Sequence, residues 1–251
     1  MRMEALVKFM TLRSLATHDV VDRLTKAFPH SVTVTGRDSA VSKQAAVDSF
    51  QNNEGCNRTF LPLTAYTEHI YQVAAWLSQD ERPTFGLYLC GNRGNGKTTL
   101  VKGIKSLYQF LDDSVAMQSC EGKFPRPGFE MITSKELVRL TKAYLNPTRD
   151  NADDVYRYKR LRDIQVLAID DLGTEPRESM NYGDFVTAAI DMISYRYDYQ
   201  LCTIATSNLA PKEIKLHYDE RFADRFREMM HIVNFGDDES FRERSPAYEK
   251  V

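Results

Sequence analysis

The chain has 251 residues, 42% of them hydrophobic and 27% charged, enough apolar content for one substantial core and too much for wholesale disorder. A formal net charge of -2 excludes a global positive field for nucleic acid, so any DNA contact has to come from a local patch. Four scattered cysteines, Cys56, Cys90, Cys120 and Cys202, argue against a disulfide framework or a zinc finger.

At the N-terminus, Arg2, Lys8, Arg13 and Asp19 interrupt the chain before any apolar run reaches signal-peptide or membrane-span length, so a cytoplasmic protein with no membrane partner is expected. Leu6, Phe9, Met10 and Leu12 have helical spacing and are followed by "SVTVTGRDSA" and the polar "DSFQNNEGCNRT". Residues 1–58 therefore read as a small N-terminal region ending in a linker, and 59–251 as the main domain. In "TAYTEHIYQVAAWLSQ" the spacing of Ile70, Val73, Ala74 and Trp76 predicts a helix. Strands are predicted at 85–90, 128–133, 164–170, 201–207 and 231–235. Between them lie the helical segments "KTTLVKGIKSLYQFL", "SKELVRLTKAYL", "DFVTAAIDMISYRY" and "DERFADRFREM". Apolar strands alternating with helices imply an α/β fold, a mostly parallel sheet between helical layers.

The first predicted strand runs into "GNRGNGKTT", Gly91, Asn92, Arg93, Gly94, Asn95, Gly96, Lys97, Thr98 and Thr99, and then into a helix. That is the context the GxxxxGK[ST] pattern requires. Glycines let successive backbone N–H groups turn inward, and the helix N-terminus faces anionic oxygens, so the stretch is expected to cradle the phosphates of a nucleotide. Lys97 would reach the β- and γ-phosphates and the Thr98 hydroxyl would ligate Mg²⁺. "VLAIDD" delivers Asp170 and Asp171 at the end of a strand, the edge where ligands bind in open α/β sheets. Asp170 is expected to hold the magnesium through its water shell, and Asp171 to orient or deprotonate the attacking water.

"CTIATSN" ends in Asn208, which either bridges the attacking water and the γ-phosphate or caps the helix begun by "LAPKEI". Arg221, Arg225 and Arg227 fall on a short helix, and Arg242 follows near the C-terminus. Tyr195 to Tyr199, "YRYDY", offers base stacking or, on the plainer reading, sheet packing. Tyr156 to Asp163, "YRYKRLRD", is a basic patch or a solvated helix face.

In order and spelling, "GNRGNGKTT", "VLAIDDLGTEP", "TIATSNL", "DERFADRFRE" and "VNFGDDESFR" resemble the AAA+ ATPases, and among them the DnaC-type helicase loaders and the IstB-type transposition ATPases. The resemblance covers about 85–245. It implies a P-loop AAA+ core without a separate C-terminal lid domain, with Lys97 and Thr98 as Walker A, Asp170 and Asp171 as Walker B, and Asn208 as sensor 1. It further implies Arg225 as the arginine finger and Arg242 as sensor 2. The second Walker B carboxylate is an aspartate where many AAA+ proteins carry glutamate, which bears on the hydrolysis rate. The implied activity is ATP hydrolysis with ATP and Mg²⁺ at the interfaces of an ATP-dependent homo-oligomer. That assembly would load a replicative DNA helicase onto single-stranded DNA, with residues 1–58 contacting the helicase. The alternatives are an IstB-type partner of a transposase and a nucleotide-gated binding module with little hydrolysis.

Overall fold

The computed structural model describes residues 15–32, 64–78, 84–116, 129–175 and 182–236, and every structural statement refers to these. The expected helical spacing of Leu6 to Leu12, the linker before residue 59, and Arg242 lie outside the described residues.

Five strands form one parallel sheet: β1 (Gly86–Cys90), β2 (Glu130–Thr133), β3 (Val166–Leu172), β4 (Cys202–Ser207) and β5 (Met230–Asn234). Their spatial order is β2-β3-β4-β1-β5. Eight helices are described. These are α1 (Thr17–Val32), α2 (Thr64–Ser78), α3 (Lys97–Ala116), α4 (Ser134–Leu145), α5 (Ala152–Asp163), α6 (Tyr182–Asp198), α7 (Pro211–His217) and α8 (Glu220–Met229). None of the described helices is long and apolar enough to cross a membrane.

All five residues of β1 are buried, because both faces of the sheet are covered. Leu87 and Leu89 join a core with Val20 and Leu24 of α1, Val73 and Trp76 of α2, and Leu100 and Ile104 of α3. On the other face Tyr88 and Cys90 pack with Leu137 and Leu140 of α4, Met192 and Ile193 of α6, and Phe222 and Phe226 of α8. The two-residue period of the strand thus sorts one apolar run into two cores. Helix α1, inside the segment read as an N-terminal region, belongs to the first of these cores and packs on both α2 and α3.

The sheet's amino edge is organised by a buried guanidinium. Arg196 of α6 is fully buried. Its Nε donates to Thr203 Oγ1 (2.8 Å), its Nη1 to the carbonyls of Leu161 (3.2 Å), Arg162 (3.1 Å) and Ile164 (2.9 Å), and its Nη2 to the Cys202 carbonyl (2.6 Å). Burial lowers its pKa to about 10, which leaves it charged at neutral pH among the carbonyls that end α5. Of the neighbouring tyrosines, the Tyr195 hydroxyl donates to Asp163 Oδ1 (2.8 Å), the Tyr197 ring lies 6.2 Å from that of Phe85, and Tyr199 is exposed with its ring 4.4 Å from that of Tyr195. The basic run on α5 is compensated, with Arg157 paired to Glu136 (2.6 Å), Arg160 to Glu130 and Arg162 to Asp163 (3.2 Å). Replacing Arg196 by Met should destabilise the fold by about 3 kcal/mol or more, because several buried carbonyls lose their donor at once. Arg196→Lys should restore little of this, a single ammonium being unable to reproduce the planar fork. Urea unfolding of both variants checks the pair.

Candidate functional site

Between β1 and α3 the chain makes a tight loop whose glycines all have positive φ: Gly91 at 128°, Gly94 at 85° and Gly96 at 85°. At Gly91 the requirement is also one of space, since a Cβ there would stand 3.1 Å from the Gly236 carbonyl oxygen and from Phe235 Cβ. The end of β5 presses on the loop from that side, with the Phe235 N–H donating to the Cys90 carbonyl (2.8 Å) and the Asn92 N–H to the Gly236 carbonyl (3.3 Å). Lys97 opens α3 and is buried, its Nζ donating to the carbonyls of Gly91 (2.8 Å) and Asn92 (2.5 Å). The ammonium therefore lies inside the curl of the loop. Asn92 and Arg93 are exposed, Thr98 and Thr99 half-buried, and Asn95 is buried with neither carboxamide atom hydrogen-bonded among the described residues.

Because β4 lies between β1 and β3, the loop and the paired aspartates end at one edge with the tip of β4 between them. The Thr98 hydroxyl donates to Asp170 Oδ1 (2.9 Å), which joins the loop to the aspartate strand directly. Thr206 of β4 donates to the same Oδ1 (2.5 Å) and accepts from the Asp171 N–H (3.0 Å). Strand β3 runs on through Asp171 and Leu172, two residues past the predicted end, but not regularly. From Ile169↔Ala205 to Leu172↔Ser207 it advances three positions against two in β4, a bulge. Asp171 occupies it with φ 57°, and its carbonyl accepts from Ser134 Oγ (2.8 Å) and Thr174 Oγ1 (2.8 Å). Asp170 is buried and Asp171 exposed.

Asn208 follows β4 at this edge, half-buried. It does not cap α7, whose N-cap is Ala210; the Ala210 N–H donates to Glu213 Oε2 (2.6 Å), and Pro211 begins the helix. Arg225 is elsewhere. Its guanidinium lies 5.3 Å over the Tyr197 ring and 3.7 Å from Asp198 Oδ1, where α6 turns toward the start of β4. This is the amino edge, opposite the loop and the aspartates. Reading the sequence missed the hydroxyls of Ser134, Thr174, Thr206 and Ser207. For Thr206 and Ser207 the signal is the polar "TS" that closes the apolar run Ile204–Ala205 just before Asn208; Ser134 and Thr174 carry no comparable local signal.

The donor set fits a polyphosphate with a hard cation: glycines that admit a close backbone approach, a helix N-terminus, one buried ammonium, a hydroxyl and a carboxylate. No group of three or more His, Cys, Asp or Glu side chains placed to hold a metal occurs among the described residues.

No family model and no curated protein matches the chain. Among solved structures it is similar to a crystal structure of DnaI, with 22% identity over 70% of this chain and 87% of that one and a TM-score of 0.47. It is similar to the DnaC helicase loader, with 19% identity over 82% and 97% and a TM-score of 0.46. It also resembles AMPPCP-bound DnaA from Aquifex aeolicus, with 12% identity over 73% of this chain, half of the DnaA chain and a TM-score of 0.47.

Just beyond the aspartates, Glu175 is buried, with Oε1 accepting from the Tyr218 hydroxyl (3.0 Å) and Oε2 lacking a partner among the described residues. Burial raises its pKa above the usual carboxylate range. The fold therefore favours the protonated acid, and the cost of ionising it is absent below the ordinary glutamate pKa and sets in as pH rises through and above it. Glu175→Gln should accordingly raise the melting temperature at pH 8 by roughly 2–4 °C, and the gain should shrink toward pH 4.5. Melting curves at the two pH values test this.

Proposed function

We propose that the chain is an ATPase of the AAA+ class, of the DnaC-type helicase-loader kind, working in the cytoplasm. The observation that carries the reading is the insertion of β4 between β1 and β3, which brings Lys97, Thr98, Asp170 and Asp171 to one sheet edge with the Thr98 hydroxyl 2.9 Å from Asp170. Bound ATP with Mg²⁺ supplies the phosphoanhydride to be cleaved and the charge that neutralises its β- and γ-oxygens. Lys97, now bonded to loop carbonyls, exchanges those acceptors for phosphate oxygens. Thr98 would offer an oxygen lone pair to the cation while keeping its own proton, hydrogen-bonded to Asp170 Oδ1, and Asp170 would hold the cation through its water shell. Asp171, exposed beside it, orients the attacking water and takes its proton, and Asn208 holds that water from the tip of β4.

Arg225 stands at the amino edge, remote from its own chain's loop, which supports a role toward a neighbouring subunit in an ATP-dependent homo-oligomer. Arg242 would complete the nucleotide's surroundings as sensor 2. Residues 1–58 are the proposed contact for a replicative helicase, and the assembled form would hold single-stranded DNA. Copurification with the helicase rather than with a transposase tests the choice of partner.

Lys97→Ala is expected to abolish stable ATP binding, and an affinity within about threefold of wild type, less than roughly 1 kcal/mol, would rule out the lysine's role. Arg225→Ala is expected to bind ATP nearly normally and hydrolyse it about 10³-fold more slowly. Mixing it with Lys97→Ala should restore part of the activity by pairing an intact loop with an intact arginine. If the two variants co-assemble and no turnover returns, the intersubunit role is wrong.

A further inference from the structure

Two neighbouring aspartates in a regular strand would point to opposite faces of the sheet. Here they serve one edge because the chain bulges at Asp171, and the group that touches both sides of the bulge is the hydroxyl of Thr206. Thr206 is buried at 1% exposure, so this hydroxyl has no solvent to turn to. Its single proton goes to Asp170 Oδ1 (2.5 Å), and its oxygen accepts the Asp171 N–H (3.0 Å). With Thr98 donating to the same Oδ1 (2.9 Å), that oxygen carries two hydroxyl donors. Among the described residues both hydroxyl bonds to this carboxylate fall on Oδ1, and on the functional reading above Oδ2 is the oxygen that would face a cation or its water.

We infer that Thr206 is a positioning residue for the metal-bearing carboxylate. It fixes the rotation of Asp170 so that Oδ2 faces the cation, and it holds the Asp171 backbone in the left-handed conformation that turns that side chain outward. It touches neither nucleotide nor metal and acts wholly through the two aspartates. Its neighbour Ser207 performs a separate task, donating to the Leu172 carbonyl (2.5 Å) and accepting from the Leu209 N–H (3.0 Å), which closes the strand pairing beyond the bulge. The hydroxyl of Thr206 is thus specific to the aspartates and is not part of a general seam.

This inference rests on the nucleotide and magnesium reading above, and the experiment separates the two. Binding of a fluorescent ATP analogue is measured with EDTA and across a Mg²⁺ titration for wild type, Thr206→Val, Thr206→Ala and Thr206→Ser, alongside thermal melting. Thr206→Val keeps the shape and removes the hydroxyl; it is expected to raise the Mg²⁺ half-saturation by about tenfold or more, as loss of a partner to a metal-bound ligand does. Binding in EDTA should stay within about twofold of wild type, because the loop and Lys97 are untouched. Thr206→Ser, which keeps the hydroxyl, should restore the Mg²⁺ response, a recovery that a purely packing role would not produce. If the valine variant does not fold, the alanine and serine pair reads the same contrast. A wild-type Mg²⁺ response in the valine or alanine variant, or a serine variant as defective as they are, overturns the inference alone. A wild-type chain that binds no nucleotide overturns the functional reading and this inference with it.

Discussion

In a parallel sheet every strand delivers its last residues to the same edge, and β4 is hydrogen-bonded to β1 on one side and β3 on the other. Whatever stands at the tip of β4 is therefore held between the glycine loop and the paired aspartates. Cys90 of β1 is level with Ser207, and Leu89 with Thr206, so the β4 hydroxyls arrive at the height where the loop begins. A helix or an irregular segment in that position would not fix this height. The sheet does so because its ladder spacing is set by backbone bonds that are buried and have no alternative partner.

The bulge is the second constraint, and it is a strained one. A non-glycine residue at φ 57° costs on the order of 1 kcal/mol, and such conformations persist where surrounding bonds over-determine them. Asp171 has those bonds: Thr206 accepts its N–H, while Ser134 and Thr174 donate to its carbonyl. Three elements, α4, β4 and the turn after β3, thereby converge on one peptide segment. Aspartate suits the position on two counts. Its short polar side chain tolerates the left-handed region better than most, and the bulge leaves its carboxylate exposed to water.

Much of this was legible in the sequence. The alternation of "FGLYLC", "VLAID" and "CTIATS" with amphipathic segments located the strands to within a residue or two, because buried parallel strands write their burial as continuous apolar runs. The glycine spacing declared the loop, since only a sharp turn into a helix demands it. Strand order was not legible: nothing local in β4 says that it enters between β1 and β3, as that placement is decided by crossovers through α3 and α6. Helix α1 was missed for a related reason. Val20, Leu24 and Ala27 form an apolar stripe among His18, Asp19, Asp22 and Arg23, but the surface they cover belongs to α2 and α3, far along the chain. Arg196 looked like one basic residue in an aromatic run. Its five acceptors come from α5, the turn before β3 and the start of β4, so its meaning exists only in the folded chain.

Strand β4 is thus tied at both ends by polar contacts that no apolar packing would specify. At its start, Thr203 and the Cys202 carbonyl receive the Arg196 guanidinium; at its end, Thr206 grips the bulge and Ser207 holds Leu172 just past it. A slip of one residue would turn every side chain to the other face, putting Ala205 or Ser207 where Thr206 meets the aspartates and detaching Thr203 from the guanidinium at the same time. Apolar burial alone discriminates weakly against such a slip, because both faces of β4 are covered by cores and both would accept small or branched side chains. The buried arginine and the hydroxyls supply the missing discrimination. The same α6 end that carries Arg196 also carries Tyr197 and Asp198, against which Arg225 rests, so the register of β4 and the seat of that arginine are fixed from a single helix terminus.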